Sequence, residues 1–153
     1  MADNFYQNVN FHFSVNFTLS GATTVDVRFQ SVTGLDSTID TETIREGGEN
    51  RFEHVIPTRR RYGPLILKRG LLGPSQSGLT AWLKQTFDDE QYQTLPTVSI
   101  YLLGEEHAPI LHWTINNVWP RSWKIGDLNA ERGEVLLETL ELNYNRLIFD
   151  END

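Results

Sequence analysis

"VNFHFSVNFTL", residues Val9–Leu19, alternates without a break. Val9, Phe11, Phe13, Val15, Phe17 and Leu19 fall on one side of an extended chain; Asn10, His12, Ser14, Asn16 and Thr18 fall on the other. That period of two predicts a long, half-buried strand. Gly21 opens a turn, and "VDVRFQSVTGL" (Val25–Leu35) alternates again, so the pair reads as a hairpin. A polar segment, Asp36–Glu49, follows, broken at Gly47-Gly48. "RFEHVIP" reads as a short strand stopped at Pro57, and Pro64 makes "YGPLILKRG" an edge or broken strand.

Strands resume with "TVSIYLL" (Thr97–Leu103), a turn at Gly104–Pro109 and "ILHWTINNVW" (Ile110–Trp119). After "PRSWKIGDLNA", the run "GEVLLETLELNYNRLIF" is a second very long strand region. Leu136, Leu140, Leu142 and Tyr144 share one face of it, which Glu138 interrupts. One helix is predicted at about 76–88, where Leu79, Trp82, Leu83 and Phe87 make an apolar stripe that packs on the strands. Ser75 or Ser77 is placed to cap it. The fold class is therefore mainly β: an antiparallel β-barrel or sandwich of two packed sheets, with that flanking helix and an extended loop or hairpin at about 41–57. A length of 153 residues fits a single domain spanning the chain, with enough sequence for a sizeable core.

Composition narrows the chemistry. There are no cysteines, which excludes disulfides, thiolate metal sites and cysteine nucleophiles. The N-terminus MADNFYQNVN lacks a basic region followed by an apolar run, so no signal peptide is expected and the chain is expected to be made in the cytoplasm. No apolar stretch approaches the roughly 20 residues of a membrane span. His12, His54, His107 and His112 show no metal-ligand spacing. Asp88-Asp89-Glu90 reads as a solvated helix end, and Glu138 and Glu141 lie on opposite faces of a strand, which rules out an acid–base pair. No phosphate-cradling, dinucleotide-binding or nucleophile-elbow motif is present. Neither catalysis nor a cofactor is expected. Trp113, Trp119 and Trp123 suit either a stacking platform for a glycan or peptide, in a soluble binding module, or a packed sandwich end or subunit interface.

Charge is distributed unevenly. The net charge is −8, yet seven of the thirteen basic residues lie in "REGGENRFEHVIPTRRRYGPLILKRG" (Arg45–Gly70). With its acids Glu46, Glu49 and Glu53 that segment carries +4, leaving −12 on the rest. An acidic chain argues against specific nucleic-acid binding. The segment is either a solvated loop neutralised by its own glutamates, or a surface complementary to acids elsewhere.

The order of landmarks is specific: "VTGL" (Val32–Leu35), "IREGGEN" (Ile44–Asn50), "LILKRGLL" (Leu65–Leu72), "LTAWL" (Leu79–Leu83), "VSIYLL" (Val98–Leu103), "HWTINNVWPRSWKIGDLNA" (His112–Ala130) and "EVLLETLELNYNRL" (Glu134–Leu147). Over most of its length the chain resembles the tail tube proteins of contractile phage tails and extracellular contractile injection systems. "NVWP" stands where such proteins usually have "NAWP", so Val118 implies a local packing change.

The resemblance implies a structural, non-enzymatic subunit. Six copies form a ring, and rings stack head to tail into a hollow tube that conducts DNA or protein. Implied partners are other copies of the chain, a surrounding sheath, baseplate and terminator or cap proteins, and a tape-measure protein or cargo in the lumen. The particle is a phage tail or phage-tail-like assembly, released by lysis. The resemblance also places an extended hairpin across the ring junction. Arg45, Glu46, Gly47, Gly48, Glu49, Arg51, Arg59 and Arg61 are the expected stacking residues, with Arg59 and Arg61 facing acids of another copy and Arg60 on the opposite side.

Overall fold

The alternating segments pair edge to edge, and the chain order is set by where each alternation breaks. In the computed structural model, which describes residues 13–19, 23–27, 29–45, 47–48, 53–104, 108–131 and 133–151, the elements are β1 (Phe13–Leu19), β2 (Thr23–Val27), β3 (Ser31–Thr33), β4 (Ser37–Ile44), β5 (His54–Tyr62), β6 (Leu65–Gly70), α1 (Gly78–Phe87), β7 (Leu95–Leu103), β8 (Pro109–Ile125), β9 (Leu137–Asn143) and β10 (Arg146–Glu151). All strand pairings among them are antiparallel. The main sheet runs β2-β1-β7-β8-β9-β6-β3, with β10 also on β8, while β4 and β5 pair only with each other.

β8 makes two layers out of this one path. Leu111–Asn116 pair with β10, and Trp119–Ile125 pair with β9. β9 and β10 thus form one course along β8, interrupted at Tyr144-Asn145, where the Asn145 amide donates to the Asn116 carbonyl at 3.1 Å. Asn117, facing this break, has φ 53°, a left-handed conformation that asparagine tolerates better than most residues. The sheet folds over itself there. β2, β1, β7, the first half of β8 and β10 make one layer; the second half of β8 with β9, β6 and β3 makes the other. Among the described residues β2 and β3 end the path without meeting, so this is an open sandwich and not a closed barrel.

The core lies between the layers. Val15, Phe17, Val98, Ile100 and Ile115 come from one layer and Leu65, Leu67, Leu140 and Leu142 from the other, all buried. Val118 is fully buried among them. Of the helix stripe, Leu79, Trp82 and Leu83 are buried, and the Trp82 indole N–H donates to the Gln93 carbonyl at 3.0 Å. Phe87 differs: it is 39 % exposed, its ring stacked on Trp123 at 6.3 Å, and Thr86 takes the inward position. Ser77 caps the helix, its Oγ accepting from the Thr80 amide. Trp82→Ala is expected to cost about 3–5 kcal/mol in a denaturant melt, as large aromatic truncations in cores do. A loss below about 1 kcal/mol would contradict the packing assigned to this ring.

The structure corrects several strand boundaries. The alternation from Val25 to Leu35 is not one strand, because the chain leaves β2 and re-enters the other layer at β3. Phe29, at the crossover, keeps the apolar period by packing 6.0 Å from the Phe17 ring. Pro57 does not stop β5: it sits in a two-stranded ribbon beside a bulge, where a missing N–H costs little. β6 is no edge strand, since it lies between β3 and β9, and Pro64 precedes it, outside the ladder. β8 runs on through Pro120, again at a register shift, to Ile125.

Glu138 interrupts the apolar face of β9 and is nevertheless 2 % exposed. It forms an ion pair with Arg69, which is 3 % exposed. Arg69 also donates to Ser77 Oγ (3.1 Å) and Thr80 Oγ1 (2.7 Å), and its guanidinium lies 5.7 Å from the Phe29 ring centre. Glu138 Oε2 accepts from the Trp123 indole at 2.9 Å. This network ties β6, β8 and β9 to the first turn of α1. Arg69 therefore leaves the basic surface to which its position in Arg45–Gly70 assigns it. Among the described residues no helix is long and apolar enough to cross a membrane.

Candidate functional site

The hairpin expected at about 41–57 is the β4–β5 ribbon. β3 leads into β4 and β5 into β6, so the ribbon continues that strand pair beyond the end of the sheet. Its side chains are exposed almost throughout. Gly34 sets the exit: its φ is 92°, and a β-carbon there would stand 2.1 Å from the Pro64 carbonyl oxygen. At the base the Tyr144 hydroxyl donates to the Gly63 carbonyl at 2.8 Å, and its ring lies 5.6 Å from that of Tyr62. Burial first, then Asp36 and Tyr62, push the Tyr144 pKa up to about 12, so it remains a donor at neutral pH.

Register sorts the ribbon's two faces. Ile39, Thr41 and Thr43 share a face with Val55, Pro57 and Arg60; Asp40, Glu42 and Ile44 share the other with His54, Ile56 and Arg61. The register shifts between Ile39 and Thr41, so Asp40 opposes both Thr58 and Arg59, and Thr58 Oγ1 donates to the Asp40 carbonyl at 3.0 Å. Arg61 meets Asp40 Oδ2 at 2.6 Å and Arg45 meets Glu53 Oε1 at 2.6 Å, both within one copy and both exposed. Such pairs contribute about 0.2–1 kcal/mol. Arg59 and Arg60 have no partner among the described residues. Gly47 and Gly48 form the exposed tip, with Gly48 at φ 99°. Glu46, Glu49 and Arg51 lie outside the described residues.

A second surface is the outer face of the β1–β7–β8 layer. Its cross-strand rows are Asn16–Ser99–Thr114, Ser14–Tyr101–His112 and Thr97–Asn116. These three central strands put hydroxyls, amides, a phenol and an imidazole there, and no Lys, Arg, Asp or Glu. Among the described side chains, charges appear only at the margin, Arg146 and Asp150 on β10. The His112 ring lies 5.9 Å from that of Tyr101. This wall was readable in the polar half of the opening alternation; its neutrality emerges only when the strands are set side by side.

The tryptophans do not form one platform. Trp113 and Trp119 are about 20 Å apart along β8 at a strand's rise per residue. Trp113 packs on the core and Phe149, Trp123 is tied to Glu138 and stacked on Phe87, and Trp119 alone is largely exposed. The binding-module reading that depends on their clustering loses its site.

The family model described as T4-like virus tail tube protein gp19 matches residues 9–148. Among solved structures, a chain of the 6-fold symmetrised baseplate of the anti-feeding prophage is 33 % identical, with a TM-score of 0.86 over 94 % of this chain and 95 % of that one. A chain of the PVC sheath–tube complex, an extracellular contractile injection system in its extended state, is 20 % identical with a TM-score of 0.80 over 97 % and 95 %. The Hcp1 protein of Flavobacterium johnsoniae shares the fold at 15 % identity and a TM-score of 0.59 over 94 % and 99 %. No curated protein matches the chain in sequence. A projecting ribbon, an uncharged polar sheet face and a family match over nearly every element of the sandwich agree: the chain belongs to the T4-like virus tail tube protein gp19 family.

Proposed function

We propose that this tail tube protein, a structural subunit and not an enzyme, closes into six-membered rings that turn the neutral β1–β7–β8 face toward the lumen. The rings stack head to tail through the β4–β5 ribbon. The observation that carries the proposal is the ribbon itself: a two-stranded element standing clear of the body, its Val55 61 % exposed and its Arg59 and Arg60 unpartnered among the described residues. An isolated two-stranded ribbon is marginal in water, so a second copy is the natural support for it. Six-fold symmetry is borrowed from the anti-feeding prophage relative. The proposed stacking residues are Arg45, Gly47, Gly48, Arg59 and Arg60, with Arg61 held by Asp40; Glu46, Glu49 and Arg51 complete the set and lie outside the described residues. The tube lies inside a sheath, between a baseplate and a cap or terminator, in a phage-tail-like particle freed by lysis.

Electron microscopy of purified protein tests this directly: rings and stacked tubes are expected, and a monomer at every concentration would overturn it. The Arg59→Glu/Arg60→Glu variant is expected to melt like the parent, since no core position changes, but to lose its tubes because the reversal repeats around each junction. Normal tubes from that variant would show that these arginines are only solvated. A neutral wall also holds no phosphates. Assembled tubes are expected to show no tight, salt-sensitive DNA binding, and a steep fall of affinity with salt would contradict the lumen assignment.

A further inference from the structure

The two ends of one strand pair differ in kind. At one end Leu65 pairs with Leu142, and the ribbon departs just beyond. At the other end Gly70 pairs with Leu137 and Ile125 with Glu138, and the β8–β9 connection closes over the edge. That connection forms a groove of about 410 Å³ lined by residues of Gly126–Asn129 and Glu134–Leu137. Among the described residues it exposes two large apolar side chains, Leu128 at 84 % and Val135 at 76 %. It is also acidic. Asp127, Glu131 and Glu134 have no ion-pair partner among the described residues.

We propose that this groove is the seat for the β4–β5 ribbon of a second copy, a specification that rests on the stacking reading above. The two surfaces are complementary in both chemistries. The ribbon face that carries exposed Val55 and Ile39 also carries cationic Arg60, with Arg59 beside it at the bulge; the groove offers exposed Leu128 and Val135 with anionic Asp127 and Glu134. Their placement is complementary too. They lie at opposite ends of the β6–β9 pair, so a copy displaced along that pair brings ribbon to groove without turning over. A contact between unlike surfaces related by displacement propagates indefinitely, unlike a two-fold contact, which closes on itself. The apolar side chains supply burial, and the charges fix which way round the copies meet.

The chain has no cysteine of its own, so introduced ones report unambiguously. In assembled Val55→Cys/Leu128→Cys protein, a short bismaleimide is expected to give a ladder of two, three and more linked chains on a denaturing gel. Val55→Cys/Ser99→Cys, whose second cysteine sits on the polar sheet face, is expected to give none. As a second arm, Asp127→Lys/Glu134→Lys is expected to lose tubes as Arg59→Glu/Arg60→Glu does, and the four changes together are expected to restore them. Tubes that form normally in the cysteine variant but yield no ladder, or a groove reversal that leaves stacking intact, would overturn this seat and leave the tube reading standing. Parent protein that never stacks would overturn the tube reading itself.

Discussion

Replacing Glu138 with alanine is expected to destabilise the fold by about 3–5 kcal/mol, the loss typical when one member of a buried ion pair is removed. Arg69 would keep its charge at 3 % exposure with only Ser77, Thr80 and the face of Phe29 to receive it, and the Trp123 indole would lose its acceptor. At this chain length that corresponds to a fall of about 10 °C or more in melting temperature. The pair is not thereby a net source of stability, because desolvating two charges offsets much of their attraction. The informative comparison is Arg69→Met/Glu138→Leu. Removing both charges is expected to cost clearly less than either single change, since nothing charged is left buried. A double variant whose loss equals the sum of the two single losses would show that the charges are not coupled, and the role of this network in holding α1 to the sheet would fall with it.

Gly34→Ala is expected to act on both fold and assembly. A left-handed backbone alone costs a residue with a β-carbon about 1–2 kcal/mol. Here the added carbon would also stand 2.1 Å from the Pro64 carbonyl oxygen, so the backbone on one side or the other must shift. The strands that shift are those leading into and out of the ribbon. The ribbon should therefore leave the body at a changed angle, and stacking should fail at temperatures where the subunit is still folded. Gly73→Ala is the control: a β-carbon there would meet only the Gln76 side chain, at an ordinary 3.8 Å, its φ is not positive, and both melting and tube formation should be near those of the parent. Parent-like melting and tubes for Gly34→Ala would show that the exit geometry is not fixed by this glycine.

The sequence by itself determined the class of the fold and the location of the ribbon proposed here to stack. Clean period-two alternation in β1, β7 and β9, with one 3.6-period stripe, forces strands and a single helix, because each pattern buries its apolar residues only in that conformation. Gly47-Gly48 and the run of arginines marked the ribbon, since local backbone freedom and charge are properties of the chain alone. Strand ends were less legible. Pro57 reads as a stop and the strand from Ile110 as ending at Trp119, yet Pro57 and Pro120 each sit beside a register shift, where a missing N–H costs little.

Only the tertiary structure decided what long-range neighbours decide. Phe29 continues an alternation while the backbone beneath it changes sheets. Glu138 reads as an error in an apolar face, and Arg69 as part of a basic surface, until strand pairing sets them beside each other, Arg69↔Glu138 across β6 and β9. Arg61 reads as free for another copy until the bulge puts Asp40 within reach. The neutral sheet face and the acidic groove are assembled from segments distant in sequence. Local periodicity fixes which side of a strand a residue occupies, but partners and surfaces arise from register, which depends on the whole sheet.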